Sequence, residues 1–131
     1  HDIIIAIGVI ALLGYEINSS FIAAILTILG YSINDTIVVY DRIRENLKRH
    51  KGLSLENIID NSVNDVMRRS LNTSFTTLLA VLAVLIFGGD TLKSFMVTLL
   101  VGIGIGTYSS IFVASPVVYL LEGKLKSKIK L

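Results

Sequence analysis

Apolar residues in this chain come in runs too long for the core of a soluble domain, separated by short polar breaks. The first run, residues 3–13, is shorter than the roughly 20 residues that carry a helix across a bilayer, so residues 1–15 read as part of a spanning helix that begins upstream. The turn "GYEINSS" follows, and residues 21–40 then supply about one bilayer thickness of helix, giving a span at about 19–41. Residues 42–69 form a polar connector. It opens with the basic helix end "DRIRENLKRHKG", for which Gly52 reads as the terminator. It continues with Ser54 as N-cap and apolar residues at Leu55, Ile58, Ile59, Val63, Val66 and Met67, the spacing of an amphipathic helix laid against the membrane or a partner. A third span at 70–88 closes on Gly88-Gly89-Asp90, a fourth at 93–121 is interrupted by Pro116, and a lysine-rich tail fills 122–131. All the strong periodicity is helical. The pattern therefore predicts an all-α, polytopic transmembrane helix bundle with an amphipathic connecting helix.

Composition agrees with that class. Of 131 residues, 53% are hydrophobic and only 17% charged, and the mean hydropathy is +0.73. Nothing resembles a cleavable signal peptide, because the first run lacks a basic flank and a small-residue cleavage pattern. Seven of the twelve lysines and arginines lie between residues 41 and 70 and four in the tail, so the positive-inside rule puts the connector and the C-terminus in the cytoplasm. Topology and the lipid bilayer account for the basic balance without a nucleic-acid partner. There is no cysteine, and His1 and His50 have no partner at ligand spacing, so neither a metal nor a cofactor is expected. No nucleophile or phosphate loop appears, which argues against an enzyme.

Asp35 is the residue that stands out. It interrupts the apolar second span about 9 Å of helix rise before the charged cluster that starts at Asp41. An ionised carboxylate at the centre of a span costs roughly 3 kcal/mol even on the lenient insertion scale, and intramembrane acids tend to mark ion or substrate pathways. Thr27, Tyr31, Asn34 and Asp35 fall at i, i+4, i+7 and i+8, one face of the helix. Arg69 heads a second stripe with Asn72, Thr73, Thr76 and Thr77 at i+3, i+4, i+7 and i+8, while Arg68, rotated by about 100°, belongs to the headgroup boundary. The two stripes are expected to meet, with Arg69 as counter-ion to Asp35 and Asp35 as the group that titrates, since arginine keeps its proton. Three readings stay open: a proton relay, a static ion pair that fixes helix register, and an Asp35 that snorkels to the headgroups. In the fourth span Gly102 and Gly106 have GxxxG spacing and Gly104 adds a small residue, a pattern of close helix packing, with a hinge near Pro116 as the sharper alternative. Thr107, Ser109 and Ser110 line a polar path or bond their own backbone. "DRIREN", with Asp41 near Arg44 and Glu45, reads as a solvated helix extension.

"ILGYSINDTIVVYDRIREN", "RRSLNTSFTTLLAVLAVLIFGG" and "LLVGIGIGTYSSIFVASPVV" together resemble the second half of the membrane domain of the SecF family, and "HD" at His1 and Asp2 fits the helix before. The resemblance implies a subunit of the bacterial SecDF complex, within the resistance-nodulation-division superfamily, located in the cytoplasmic membrane. It implies SecD, the SecYEG translocon and YidC as partners, with the preprotein held by an extracytoplasmic domain that this chain does not contain. It also implies use of the proton-motive force for preprotein export, with Asp35 and Arg69 matching the family's proton-path aspartate and arginine. Asn72, Thr73 and Thr76 occupy matching positions. The alternatives are a structural module that helps assemble the translocon, and a related proton-driven exporter.

Overall fold

The structure, a computed structural model, describes residues 1–50 and 52–129, the side chains of 123–129 excepted. Five helices follow in order: α1 (Asp2–Leu12), α2 (Ser19–Arg49), α3 (Leu55–Phe87), α4 (Asp90–Phe112) and α5 (Ala114–Ile129). Three helical stretches are long and apolar enough to cross a membrane: α2, α3, and α4 with the start of α5.

Local chemistry sets most of the helix ends. Asn18 caps α2 by accepting a hydrogen bond from the Phe21 amide at 3.0 Å, and Ser54 caps α3 by accepting from the Asn57 amide at 3.4 Å. Gly14 and Gly89 take the positive φ values, 70° and 75°, that the two tight turns at one end of the bundle demand. That end is called here the turn end, and the opposite one, which carries most of the arginines and lysines, the basic end.

One boundary differs from the sequence pattern and one follows it. The amphipathic connector and the third span are one unbroken helix of 33 residues, because nothing between Leu55 and Phe87 breaks a helix. Its amphipathic part does not lie free: Ile59 and Val66 pack on Val39 and Ile43 of α2, so the helical hairpin extends beyond the apolar segments as a paired arm. The fourth span does break at Pro116, one turn upstream of the ring. Val113 separates α4 from α5, since Pro116 has no N–H for the Phe112 carbonyl and its ring crowds that carbonyl. The basic tail 122–131 is helical to Ile129; residues 130 and 131, and Lys51 in the connector, lie outside the described residues.

Helix α4 is the centre of the bundle and touches α1, α2, α3 and α5. It can, because its inward positions are small or slender: Thr98, Gly102, Gly106, Thr107 and Ser110 are all buried. The apolar core joins Ala6 of α1, Ala24 and Ile28 of α2, Val81 of α3 and Leu99 and Ile103 of α4. Outside, large apolar side chains such as Leu26, Phe75 and Ile86 are 64–66% exposed, a surface suited to lipid and not to water.

Candidate functional site

Asp35 sits about 24 Å of helix rise from the start of α2, inside a hydrocarbon layer of about 30 Å. Its Oδ1 accepts a hydrogen bond from Ser70 Oγ of α3 at 2.9 Å. Its Oδ2 is buried and has no hydrogen-bond partner among the described residues. One oxygen is thus tied to the neighbouring helix while the other is left with unused acceptor capacity, a costly state for a carboxylate in a low-dielectric setting.

Around it runs a seam of hydroxyls between α2, α3 and α4. Tyr31 Oη and Ser74 Oγ are 3.0 Å apart, Ser74 also meets Thr107, and Thr36 meets Ser110 at 3.0 Å. Ser32 donates to Asp2, a buried carboxylate on α1. Each hydroxyl can donate and accept at once, so the seam satisfies itself across three helix interfaces without water.

The expected meeting of the two polar stripes does not occur within this chain. Of the first stripe, Tyr31 and Asp35 turn inward, whereas Thr27 and Asn34 are exposed and the Thr27 hydroxyl returns to the Ala23 carbonyl at 2.8 Å. Of the second stripe, Arg69, Asn72, Thr73 and Thr76 are exposed, and Thr73, Thr76 and Thr77 bond the carbonyls one turn back. The inward face of α3 begins one residue later, at Ser70, and continues through Ser74 and Val81; a rotation of about 100° separates it from the stripe that Arg69 heads. Arg69 accordingly makes no ion pair with Asp35. It lines a cleft of about 380 Å³ with Val38, Asp41, Arg42, Glu45, Asp65 and Val66, on the basic-end side of Asp35.

The glycines divide in the same way. A Cβ on Gly102 would fall on the Ile28 side chain, and one on Gly106 would come within 3.5 Å of Ser32 and 3.7 Å of Asp2, so both mark close contact of α4 with α2. Gly104 faces open space. Ser109 bonds its own helix, to the Gly106 carbonyl, Thr107 both donates to the Ile103 carbonyl of its own helix at 2.9 Å and meets Ser74, and Ser110 reaches across to Thr36.

At the basic end, charge organises the arm. Arg42 binds Glu45 at 2.7 Å and Asp65 at 2.8 Å, and Arg49 binds Glu45 at 2.8 Å; Asp41 takes no part in these pairs. The Arg42 hydrogen bond, helped by Asn46, holds the Asp65 carboxyl below the usual range, and Arg42 with Arg49 does the same for Glu45. Buried Asn46 also donates to Ser62 at 2.9 Å, locking the register of α2 on α3. Among the described residues no three His, Cys, Asp or Glu side chains converge as metal ligands would.

Sequence reasoning passed over Ser32, Thr36, Ser70, Ser74 and Asp2. A signal existed: Ser32 and Thr36, Ser70 and Ser74, and Gly106 and Ser110 are pairs of small residues four apart, the spacing at which membrane helices approach closely.

Fold and site define a polytopic membrane protein whose packed helices enclose a carboxylate and a hydroxyl seam. The chain belongs to the family of protein export membrane proteins SecD/SecF, C-terminal portion, which it matches over residues 1–124. It is 60% identical over 123 residues to the protein translocase subunit SecF of Sebaldella termitidis, covering 93% of this chain and 40% of that protein. It is 53% identical over 118 residues to SecF of Petrotoga mobilis, covering 90% and 39%. This chain therefore spans about two fifths of these curated relatives. Its fold is similar to the crystal structure of SecDF in the super-membrane-facing form, with a TM-score of 0.93 and 46% identity over 99% of this chain and 18% of that one. It is similar too to SecDF from Thermus thermophilus, a translocon-associated membrane protein, with a TM-score of 0.89 and 48% identity over 94% of this chain and 17% of that one.

Proposed function

We propose that this chain is the proton-responsive membrane part of a SecF-type subunit, which with SecD couples the proton-motive force to preprotein export through SecYEG in the bacterial cytoplasmic membrane. The carrying observation is Asp35: a carboxylate within an apolar helix long enough to cross a membrane, bonded on one oxygen to Ser70, with the other oxygen buried and unpaired among the described residues. Such a group changes its partners when it gains or loses a proton, because the neutral acid donates where the anion only accepts. A proton crossing the membrane supplies about 2.3 kcal/mol per 100 mV, enough to shift a two-state packing equilibrium severalfold.

Arg69 enters from the exposed face. Arg69 and Asn72 share an exposed face of α3 with Thr73 and Thr76, and Asn34 is exposed on α2; side chains such as Arg69, Asn72 and Asn34 are ones that lipid would not solvate, and SecD is the partner that covers them, completing the path between the two subunits. Basic residues gathered at one end set that end and the C-terminus in the cytoplasm, with Arg69 and its cleft leading the proton inward from Asp35. The subunit works as a transporter part and not as an enzyme. YidC is a further partner of the assembly, and the preprotein is held by the extracytoplasmic domain.

The second reading is a structural module for translocon assembly, favoured by the Asp35–Ser70 bond, which on its own would pin α2 to α3. The test is Asp35→Asn in the full-length protein, first checked for co-purification with SecD, then assayed for proton-motive-force-dependent export. Lost export with assembly intact is expected. Lost assembly would favour the structural module, and normal export would overturn the proton reading.

A further inference from the structure

Asp35 is not the only carboxylate enclosed by the membrane helices. Asp2, on α1, is 9% exposed. It stands about 16 Å of helix rise below Leu13, half the thickness of the hydrocarbon layer, and on the turn-end side of Asp35. Neither the stripes nor the Asp35 site accounts for it.

Its surroundings are built to hold a carboxyl group. Ser32 of α2 donates to its Oδ2, and His1 Nδ1 lies 2.9 Å from its Oδ1. On the α4 side stands Gly106, where a Cβ would come into ordinary van der Waals contact with Ser32 at 3.5 Å and Asp2 Oδ2 at 3.7 Å, so α4 packs directly on the pair. Among the described residues, the titratable group in contact with Asp2 is His1 on its own helix, and Asp35 lies one turn beyond Ser32 on α2; α4 faces it with Gly106, its charged residues Asp90 and Lys93 being at the turn end.

Ser32 links the two acids. It lies three residues before Asp35 on α2, so the Asp2–Ser32 contact and the Asp35–Ser70 contact are successive rungs one turn apart. Thr36, four residues after Ser32, meets Ser110, four residues after Gly106, so the same two helix faces stay in register along the ladder.

We propose that Asp2 is a second proton-carrying residue, which takes up a proton on the turn-end side and passes it by way of the Ser32 hydroxyl toward Asp35. The inference rests on the proton reading of Asp35. The step breaks one O–H bond and forms another at each transfer: Asp2, once protonated, gives its proton to the Ser32 oxygen as the Ser32 hydroxyl proton passes to Asp35 Oδ2, the oxygen with no partner among the described residues, after rotation of the Ser32 side chain brings the two within reach, and the hydroxyl returns to Asp2 when it rotates back.

The experiment uses the full-length protein in complex with SecD, comparing Asp35→Asn, Asp2→Asn, Asp2→Glu and Ser32→Ala. Export driven by the proton gradient is measured across pH, and infrared difference spectra between acidic and alkaline buffer record the C=O stretch of protonated carboxyl groups. Expected are loss of gradient-driven export in Asp2→Asn, its return in Asp2→Glu, and disappearance of one carboxyl band distinct from the band lost in Asp35→Asn. If Asp2→Asn does not assemble with SecD, Ser32→Ala decides, because it keeps the carboxyl and cuts the link; a displaced pH profile is expected. Normal export in Asp2→Asn, an unchanged set of carboxyl bands, or an unaltered pH profile in Ser32→Ala would overturn the proposal and leave Asp2 as an anchor for α1. Normal export in Asp35→Asn would instead sink the proton reading itself.

Discussion

Single positions on α4 show how narrowly the bundle is packed. Gly102 and Gly104 are two residues apart and alike in sequence, yet a methyl group at Gly102 would strike Ile28, itself 1% exposed, while one at Gly104 would touch nothing. Overpacking of this kind costs about 1–3 kcal/mol. Gly102→Ala should therefore lower the thermal unfolding midpoint of the detergent-solubilised full-length protein, and Gly102→Ala with Ile28→Ala should recover part of the loss. Gly104→Ala should leave the midpoint unchanged or raise it, since alanine favours a helix over glycine by up to about 1 kcal/mol. Equal effects at the two glycines would contradict the packing. Sequence spacing selected both because it reports small residues; which of them meets α2 depends on the rotation of α4, and that is a property of the assembled bundle.

At the scale of elements, the arm formed by α2 and α3 joins an apolar seam to an ion cluster. Arg42 depresses the carboxyls of Asp65 and Glu45 by direct hydrogen bonds, so both stay ionised below the usual carboxylate range. A depressed carboxyl stabilises the folded arm at neutral pH and loses that contribution as pH falls from the ordinary carboxylate range through the lowered values. The protection of amides in residues 42–49 and 55–65, exchange being corrected for its base-catalysed chemical rate, should accordingly fall on acidification in that window, and added salt should weaken the effect because the cluster is near the surface. Arg42→Ala should speed exchange at neutral pH and flatten the pH dependence; an unchanged profile would mean that Val39, Ile43, Ile59 and Val66 hold the arm unaided. The amphipathic spacing from Leu55 to Met67 was plain in the sequence, but its partner was not. That partner is the extension of α2, and only the antiparallel course of the two helices brings Asp65 back to Arg42.

Taken as a whole, the molecule has two kinds of outer surface. One is apolar, with Leu26, Phe75 and Ile86 in the open; the other is polar, with Asn34, Arg69, Asn72, Thr73 and Thr76. A polar surface in hydrocarbon needs a protein neighbour, whereas an apolar one does not. On the proposed reading that SecD covers this face, photo-reactive probes attached at Asn72→Cys and Thr76→Cys should capture SecD in native membranes, and a probe at Phe75→Cys should capture lipid. Capture of SecD from Phe75→Cys alone would place the partner on the wrong face.

Much of this was determined by the sequence by itself. The number of apolar runs, the cap at Ser54, the glycine turns, the break ahead of Pro116 and the place of Asp35 within an apolar run all follow from short-range chemistry and hydropathy, which act within a turn or two of helix. Tertiary structure decided what faces what. It turned Ser70 and Ser74 inward in place of Arg69 and Asn72, gave Asp35 a serine in place of an arginine, and brought Asp2 of α1 against Ser32 and Gly106. These depend on the rotation of each helix about its axis, where one residue is about 100° and several faces carry hydroxyls that hydropathy alone does not rank. Close packing breaks the tie: the faces with the smallest residues come together, and the longer polar side chains are left outside.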